Sequence, residues 1–207
     1  MPKPPTKATA ARPVVQLQPG KLSPWLESVR DATGIDPRTQ QAAVTILLLD
    51  RSGSMSESIA DALDGARTFN GDALSAGQSV GLIVFSTEAT LVSKPSRTGI
   101  AAHLKSVACD GSTNMAAAIT LAMSCLERGA RKRTIVLATD GQPDDRQATL
   151  AAAEAAKRVG IRVITIGTKD ADANFLRQIA SSTEMSMSAR SGELGKAIVH
   201  AARLLLK

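Results

Sequence analysis

The chain has 207 residues, a formal net charge of +6, 43% hydrophobic residues and only 2% aromatic residues. The length allows one domain or two, and a core of Ala, Leu, Ile and Val suits helices packed on a sheet. The positive charge is compatible with an acidic protein or a nucleic acid, but the shortage of stacking aromatics and of known nucleic-acid motifs argues against RNA or DNA. No apolar stretch has the length of a membrane span, and the N-terminal segment lacks the apolar core of a secretory signal, so we expect a cytoplasmic protein.

The N-terminal part of the chain, residues 1–40, is a basic, Pro-rich extension ahead of the main domain, which we place at residues 41–207. Its first half has the composition of a flexible tail, with a partner-docking arm as the alternative. A short helix is predicted over 23–32, because Ser23 suits the N-cap and Pro24 suits the first helical position. Trp25, the only tryptophan, would pack from this helix against the domain or against another protein.

The rest of the chain alternates almost wholly apolar runs, typical of strands covered on both faces, with segments of helical periodicity. The predicted strands cover 42–49, 79–85, 88–93, 133–139, 161–167 and 184–188. The predicted helices cover 57–76, 98–107, 114–128, 143–159, 172–181 and 191–206. The third strand follows a tight turn and should therefore pair antiparallel. The predicted fold is α/β: a doubly wound, mostly parallel six-stranded sheet with one antiparallel edge strand and helices on both faces.

Oxygen-bearing side chains lie directly after two of these strands and in one Gly-rich turn. Asp50, Ser52 and Ser54 follow the first strand, Thr113 lies in the turn before the third of the predicted helices, and Asp140 follows the fourth strand. Ligands bind to open parallel sheets at the carboxyl ends of the strands. Hydroxyl and carboxylate oxygens suit hard cations rather than zinc. The five residues are therefore a candidate site for Mg²⁺, with Mn²⁺ or Ca²⁺ as alternatives.

Together the three segments resemble the von Willebrand factor A (VWA) domain family, over residues 41–206. The metal-ion-dependent adhesion site (MIDAS) of that family has these five residue types in the same order. The resemblance implies a strand order of 3-2-1-4-5-6. It implies that the hydroxyls of Ser52, Ser54 and Thr113 bind the metal directly, whereas Asp50 and Asp140 bind through water or hydrogen-bond to those hydroxyls. One coordination position would stay open for an Asp or Glu carboxylate of a protein partner.

The Gly-rich turn departs from the family pattern. Ser112 stands where many members have a second glycine, so either Ser112 or Thr113 could face the metal, and we favour Thr113. Asn114 and Gln142 are expected to shape the rim of the site.

These features favour a non-enzymatic protein-interaction module. The resemblance is to small intracellular bacterial VWA proteins, similar to those associated with tellurite resistance. It implies a stress or defence assembly, with an AAA+ ATPase, a kinase or a phosphatase as partner. The alternative is a metal-dependent hydrolase or phosphotransferase that uses Asp50, Ser52 or Ser54, although the chain lacks a nucleophile elbow and a phosphate-binding loop. A structural subunit that never binds metal is a third reading.

The C-terminal helix shifts in some relatives when ligand binds. A helix packed permanently on the sheet is the alternative that we favour for the amphipathic segment 195–207, since a switch requires two states.

Charge is expected to be polarised, with carboxylates near the strand carboxyl ends and basic residues at the opposite edge. The basic residues are Arg128, Arg131, Lys132, Arg133, Lys157, Arg158 and Arg162. Helices that end at this edge favour cations in their last turns, and a second docking surface for an acidic partner is the alternative. Cys109 and Cys125 are expected to be reduced thiols.

Overall fold

The computed structural model describes residues 43–105, 107–126, 130, 132–190 and 192–205, which belong to one compact unit. The predicted extension, residues 1–40 with its helix at 23–32, lies outside the described residues. Arg128 and Arg131 of the predicted basic cluster also lie outside them.

Six strands form one sheet with the order β3-β2-β1-β4-β5-β6, which is the order that the resemblance implies. The strands are β1 Ala43–Asp50, β2 Gln78–Phe85, β3 Ala89–Ser96, β4 Arg133–Thr139, β5 Ile161–Gly167 and β6 Ser186–Ser188. β3 pairs antiparallel with β2, whereas the other neighbours pair in parallel. The predicted fold class is confirmed.

Helices cover both faces of the sheet. They are α1 Ile59–Ser75, α2 Met115–Cys125, α3 Arg146–Arg158, α4 Ala173–Ile179 and α5 Leu194–Leu204. Leu47 and Leu49 of β1 pack in a core with α1 and α5, while Ile46 and Leu48 pack in a second core with α2, α3 and α4. All four side chains are completely buried. Burial on both faces therefore explains the unbroken apolar run 46–49 of β1.

The prediction of a helix over 98–107 is wrong, because the described residues of this segment form a 3-10 turn at Ala101–His103 and no α-helix. The segment is held by α1: Asn70 Oδ1 accepts a hydrogen bond from Ile100 N at 2.8 Å, and Arg67 Nη2 donates to Leu104 O at 2.7 Å. Ile100 and Leu104 are buried in the α1 core. These long-range bonds and buried contacts outweigh the weak tendency of so short a segment to form an isolated helix.

The C-terminal helix α5 crosses α1 at two glycines. A Cβ atom added to Gly65 would lie 2.3 Å from Gly195 Cα, so the two backbones are in direct contact. Gly195 N also donates a hydrogen bond to Asp61 Oδ2 at 2.8 Å. The helix α5 is therefore packed directly on α1 in this structure.

The neighbouring strands β1 and β4 position the candidate site. They are parallel, with Leu49 opposite Ala138, and the connections from them run to opposite halves of the sheet. Asp50 is the last residue of β1, and Asp140 follows β4 directly. Their loops therefore meet where the strand order reverses, which is the usual ligand-binding edge of such a sheet.

Candidate metal centre

Asp50 is held by hydrogen bonds to both of its carboxylate oxygens. Oδ1 accepts from Ser52 N at 2.8 Å, and Oδ2 accepts from Thr139 Oγ1 at 2.5 Å. Thr139 Oγ1 in turn accepts from Gly141 N at 3.1 Å. Because the Asp50 side chain is completely buried, these bonds fix its orientation and connect the β1 and β4 loops.

A chain of side-chain oxygens joins the same two loops. Ser52 Oγ lies 3.1 Å from Ser54 Oγ, and Ser54 Oγ donates a hydrogen bond to Asp140 Oδ1 at 2.8 Å. Ser52 and Asp140 are buried, whereas Ser54 is exposed. Ser54 lies within a 3-10 turn, Gly53–Glu57, that precedes α1. The three side chains therefore lie together, and the cluster is open to solvent at Ser54.

Thr113 joins this cluster from the third loop. A Cβ atom added to Gly141 would lie 3.2 Å from Thr113 Oγ1 and 3.5 Å from Ser54 Oγ, so both hydroxyls flank the same point. Ser112 instead donates its hydroxyl to Asp144 Oδ2 at 2.6 Å. Thr113 is buried and Ser112 is exposed. This geometry supports Thr113, rather than Ser112, as the residue that faces the cluster.

Backbone hydrogen bonds attach the Thr113 loop to its neighbours. Gly53 N donates to Gly111 O at 3.1 Å, and Asp110 N donates to Arg51 O at 2.9 Å. Asn114 N donates to Ser86 O at 2.8 Å in the turn between β2 and β3. The five predicted site residues are thus supplied by three loops that bond directly to one another.

The two buried carboxylates lack a compensating positive charge among the described residues. Burial raises the pKa of Asp50 to about 6, although the hydrogen bonds from Thr139 and Ser52 lower it and the negative charge of Asp140 raises it. Burial also raises the pKa of Asp140, against the hydrogen bond from Ser54. No described Lys or Arg forms an ion pair with either carboxylate. A bound cation would offset this uncompensated charge.

The donor set fits a hard divalent cation. No group of three or more His, Cys, Asp or Glu side chains comes together among the residues that the structure describes, so the candidate site depends on hydroxyls. The separation of 3.1 Å between Ser52 Oγ and Ser54 Oγ is close to the roughly 3 Å between adjacent oxygens in an octahedron around Mg²⁺. Serine, threonine and carboxylate oxygens are ligands that such cations accept.

Other predicted residues have structural positions. Asn114 is the N-cap of α2: its Oδ1 accepts from Ala117 N at 3.0 Å, and its Nδ2 donates to Thr87 O at 3.2 Å. Gln142 is exposed beside the site. Cys109 and Cys125 are free thiols. Burial, together with the negative charges of Asp140 and Asp50, raises the pKa of Cys109.

Basic residues at the opposite edge of the sheet cap the ends of helices. Lys157 Nζ donates to Gln178 O at 3.1 Å and pairs with Glu154 at 2.6 Å, and Arg133 donates to Val159 O. These contacts satisfy carbonyl groups at the C-terminal ends of α3 and α4. They support the explanation from helix ends rather than a second docking surface.

Sequence reasoning missed three residues that support the site: Thr87, Thr139 and Asp144. Thr139 was visible only as the last residue of a strand, and Asp144 only as part of a helix start. The pattern Thr139-Asp140-Gly141 offered a signal for Thr139, whereas no local pattern distinguishes Thr87.

None of the described helices has the length and apolar character needed to cross a bilayer.

A model of the family described as the von Willebrand factor type A domain matches residues 46–202. No curated protein matches the chain. Solved structures do. The pilus adhesin SpaC from Lactobacillus rhamnosus GG superposes with a TM-score of 0.73 at 18% identity, covering 81% of this chain and 31% of the adhesin.

Two further structures are similar to this chain and were determined with metal. Proximal thread matrix protein 1 from the mussel byssus, with a zinc-occupied MIDAS motif, has a TM-score of 0.63 at 18% identity, covering 79% of this chain and 46% of that one. The manganese-loaded TRAP protein of Plasmodium vivax has a TM-score of 0.63 at 20% identity, covering 77% of this chain and 74% of that one. The chain spans less than half the length of the adhesin and of the byssus protein.

Proposed function

Because the chain belongs to the von Willebrand factor type A domain family, whose members are metal-dependent adhesion and interaction modules, we propose that it binds a protein partner through a divalent cation. The cation site is a complete MIDAS formed by Asp50, Ser52, Ser54, Thr113 and Asp140. The partner contributes an Asp or Glu carboxylate. The module has no catalytic role.

The observation that carries this proposal is the chain of oxygens from Ser52 through Ser54 to Asp140, at 3.1 Å and 2.8 Å. In the proposed site, the hydroxyls of Ser52, Ser54 and Thr113 are direct ligands. Asp50 and Asp140 hold those hydroxyls or bind through water. When bound, the cation supplies the positive charge that attracts an outside carboxylate, since neutral hydroxyl ligands leave most of that charge uncancelled. Exposure of Ser54 gives a partner access to this position.

Mg²⁺ is the proposed metal, because it favours oxygen ligands and is held by few carboxylates. Mn²⁺ and Ca²⁺ are the alternatives. A manganese-loaded relative and a relative with zinc in its MIDAS motif support occupation by a divalent cation.

The proposed setting is an assembly in the bacterial cytoplasm, in a stress or defence system similar to those of tellurite-resistance-associated VWA proteins. The partner would be an AAA+ ATPase, a kinase or a phosphatase. The resemblance of the three site motifs supports this setting. Extension 1–40 and domain 41–207 form the proposed division of the chain.

The hydrolase or phosphotransferase alternative receives less support from the geometry. Asp50 is completely buried and both of its carboxylate oxygens accept hydrogen bonds, which leaves it poorly placed to accept a phosphoryl group. His103 and His200 form no hydrogen bond with Ser52 or Ser54 in the part of the chain that the structure describes. Turnover of a generic phosphate ester, lost in Ser52→Ala, would favour this alternative.

Metal binding is tested by titrating the purified chain with Mn²⁺ and following the free ion by electron paramagnetic resonance. We expect one saturable site, displaced by Mg²⁺. Ser54→Ala should weaken Mn²⁺ binding at least about tenfold, whereas Ser56→Ala, an exposed neighbour in the same 3-10 turn, should not change it. Absence of a saturable site at millimolar Mn²⁺ would overturn the proposal.

Partner binding is tested by a pull-down from lysate with and without divalent cation. Capture should be lost in EDTA, restored by Mg²⁺ and abolished by Asp140→Asn. Capture of equal strength in EDTA would reject a metal-dependent contact even if Mn²⁺ binds.

A further inference from the structure

The loop that carries Thr113 is neither helix nor strand, and the side chain of Asp144, from another loop, is hydrogen-bonded to it. Asp144 Oδ1 accepts a hydrogen bond from Thr113 N at 2.8 Å, and Asp144 Oδ2 accepts one from Ser112 Oγ at 2.6 Å. Asp144 N donates to Thr113 O at 3.1 Å. Asp144 therefore bonds to the backbone N–H and C=O of Thr113. It also bonds to the hydroxyl of the preceding residue, Ser112.

The turn between β2 and β3 holds the other side of the same loop. Thr87 Oγ1 accepts from Ser112 N at 3.2 Å, and Thr87 O accepts from Asn114 Nδ2 at 3.2 Å. Gly111 has a φ of +77°, which turns the loop sharply against Thr87. Thr87 and Asp144 thus hold the Thr113 loop from two sides, in addition to its backbone hydrogen bonds with Arg51 and Gly53.

Asp144 and its neighbour Asp145 have separate partners, although both are exposed. Asp145 is the N-cap of α3, and its Oδ1 accepts from Ala148 N at 2.9 Å. Asp144 makes no such capping bond among the described residues and uses both carboxylate oxygens on the Thr113 loop. Asp145 stabilises a helix, whereas Asp144 orients a loop of the candidate metal centre.

We propose that Asp144 is a positioning residue for the metal centre: its carboxylate fixes the Thr113 hydroxyl beside those of Ser52 and Ser54 before any cation binds. The consequence for metal affinity rests on the proposed function, but the fixing of the loop does not. Because its two carboxylate oxygens accept from Thr113 N and Ser112 Oγ, Asp144 acts through the Thr113 loop, and the proposed ligand set remains the five residues named above. The same arrangement assigns the Ser112 hydroxyl to Asp144 rather than to the metal.

The physical basis is preorganisation. A loop that is already ordered does not have to lose conformational entropy when a ligand binds. Groups that orient metal ligands through hydrogen bonds typically change metal affinity by about 10- to 100-fold. Loss of the Asp144 charge would also weaken cation binding at long range, so the test requires a variant that removes an equal charge at the same edge. Asp145 provides it.

The test compares Asp144→Ala, Asp144→Asn and Asp145→Ala in the full chain. The first readout is amide hydrogen exchange of Thr113 in EDTA, measured by NMR. We expect exchange to be at least about tenfold faster in Asp144→Ala and unchanged in Asp145→Ala. Asp144→Asn should restore much of the protection, because its amide oxygen accepts from Thr113 N while its NH₂ group donates to Ser112 Oγ.

The second readout is the Kd for Mn²⁺. Asp144→Ala should raise it about tenfold more than Asp145→Ala does, while Asp145→Ala should lower the Tm through loss of the helix cap. Equal losses of affinity in the two alanine variants would overturn the proposal, because they would reflect charge alone. Fast exchange of Thr113 in the wild-type chain, or unchanged exchange in Asp144→Ala, would also overturn it. Failure of the wild-type chain to bind Mn²⁺ would instead reject the proposed function, and the exchange data would still decide whether Asp144 fixes the loop.

Discussion

Thr139 donates a hydrogen bond from Oγ1 to Asp50 Oδ2 at 2.5 Å and thereby joins the carboxyl ends of the neighbouring strands β1 and β4. The two residues are 89 positions apart in the chain. The bond stabilises the charged form of a completely buried carboxylate, and it lowers the pKa that burial raises. The Thr139 hydroxyl therefore both links the two strand ends and stabilises the ionised form of Asp50.

Thr139→Val should loosen Asp50 and weaken metal binding. The variant keeps the shape of the side chain but leaves a buried carboxylate oxygen without its donor, which costs about 1–3 kcal/mol of unfolding free energy. The measurement is urea unfolding together with Mn²⁺ titration. Thr165→Val is the matched control, since Thr165 is also completely buried and donates to Leu176 O at 3.2 Å. It should lose stability without losing Mn²⁺ affinity. Unchanged affinity in Thr139→Val would contradict the expectation.

The metal-free protein should become less stable as the pH rises from about 4 to about 6. The pKa of Asp50 is raised from 3.8 in its ordinary state to about 6 in the folded protein, so the folded state binds this proton more tightly than the unfolded state does. Protonation therefore stabilises the fold, and the full cost of ionisation, about 3 kcal/mol, is present above the folded pKa. The raised pKa of Asp140 acts in the same direction.

This pH dependence is measured by urea unfolding in EDTA between pH 4 and pH 7. Asp50→Asn should remove most of the decline, because the side chain no longer ionises. Addition of Mg²⁺ at pH 7 should restore stability to the wild-type chain and not to Asp50→Asn. A variant profile that parallels the wild-type profile would show that Asp50 is not the source.

Gly65→Ala should destabilise the crossing of α1 and α5. An added Cβ would lie 2.3 Å from Gly195 Cα, and a backbone atom cannot move aside cheaply. We expect the free energy of unfolding, measured by thermal or chemical unfolding, to fall by about 1–3 kcal/mol. Gly71→Ala is the control on the same helix: a Cβ there would meet nothing within 4 Å, and stability should rise by about 0.5–1 kcal/mol. Equal effects at the two positions would mean that α5 is not seated against Gly65.

Gly111→Ala should disturb the Thr113 loop beyond the cost of its backbone conformation. Gly111 and Gly192 both have positive φ, of +77° and +72°, so alanine costs about 1–2 kcal/mol at either position. Only at Gly111 would the added Cβ collide, at 2.5 Å from Thr87 Oγ1. Mn²⁺ affinity should therefore fall in Gly111→Ala and stay unchanged in Gly192→Ala. An identical Kd in both variants would contradict the role of this close contact.

Sequence patterns predicted the strands well because their physical cause is local. Each apolar run in β1, β4 and β5 is buried on both faces, so its apolar composition was sufficient to predict a strand. The prediction of a helix over 98–107 was wrong because the conformation of this segment depends on Asn70 and Arg67. These two α1 side chains are distant in sequence and bond to the backbone of Ile100 and Leu104. Local spacing contains no information about such partners.

The fold class, the family and the five candidate ligands could be predicted from the amino-acid sequence, because strand periodicity and short motifs lie in consecutive residues. The different roles of neighbouring residues became apparent only in the folded molecule. Ser112 and Thr113 are adjacent, as are Asp144 and Asp145, yet one member of each pair binds a loop and the other faces the cluster or caps a helix. The reason is that a hydrogen bond requires two atoms within about 3 Å, and the partner of Thr113 N lies 31 positions along the chain, where only folding brings it into reach.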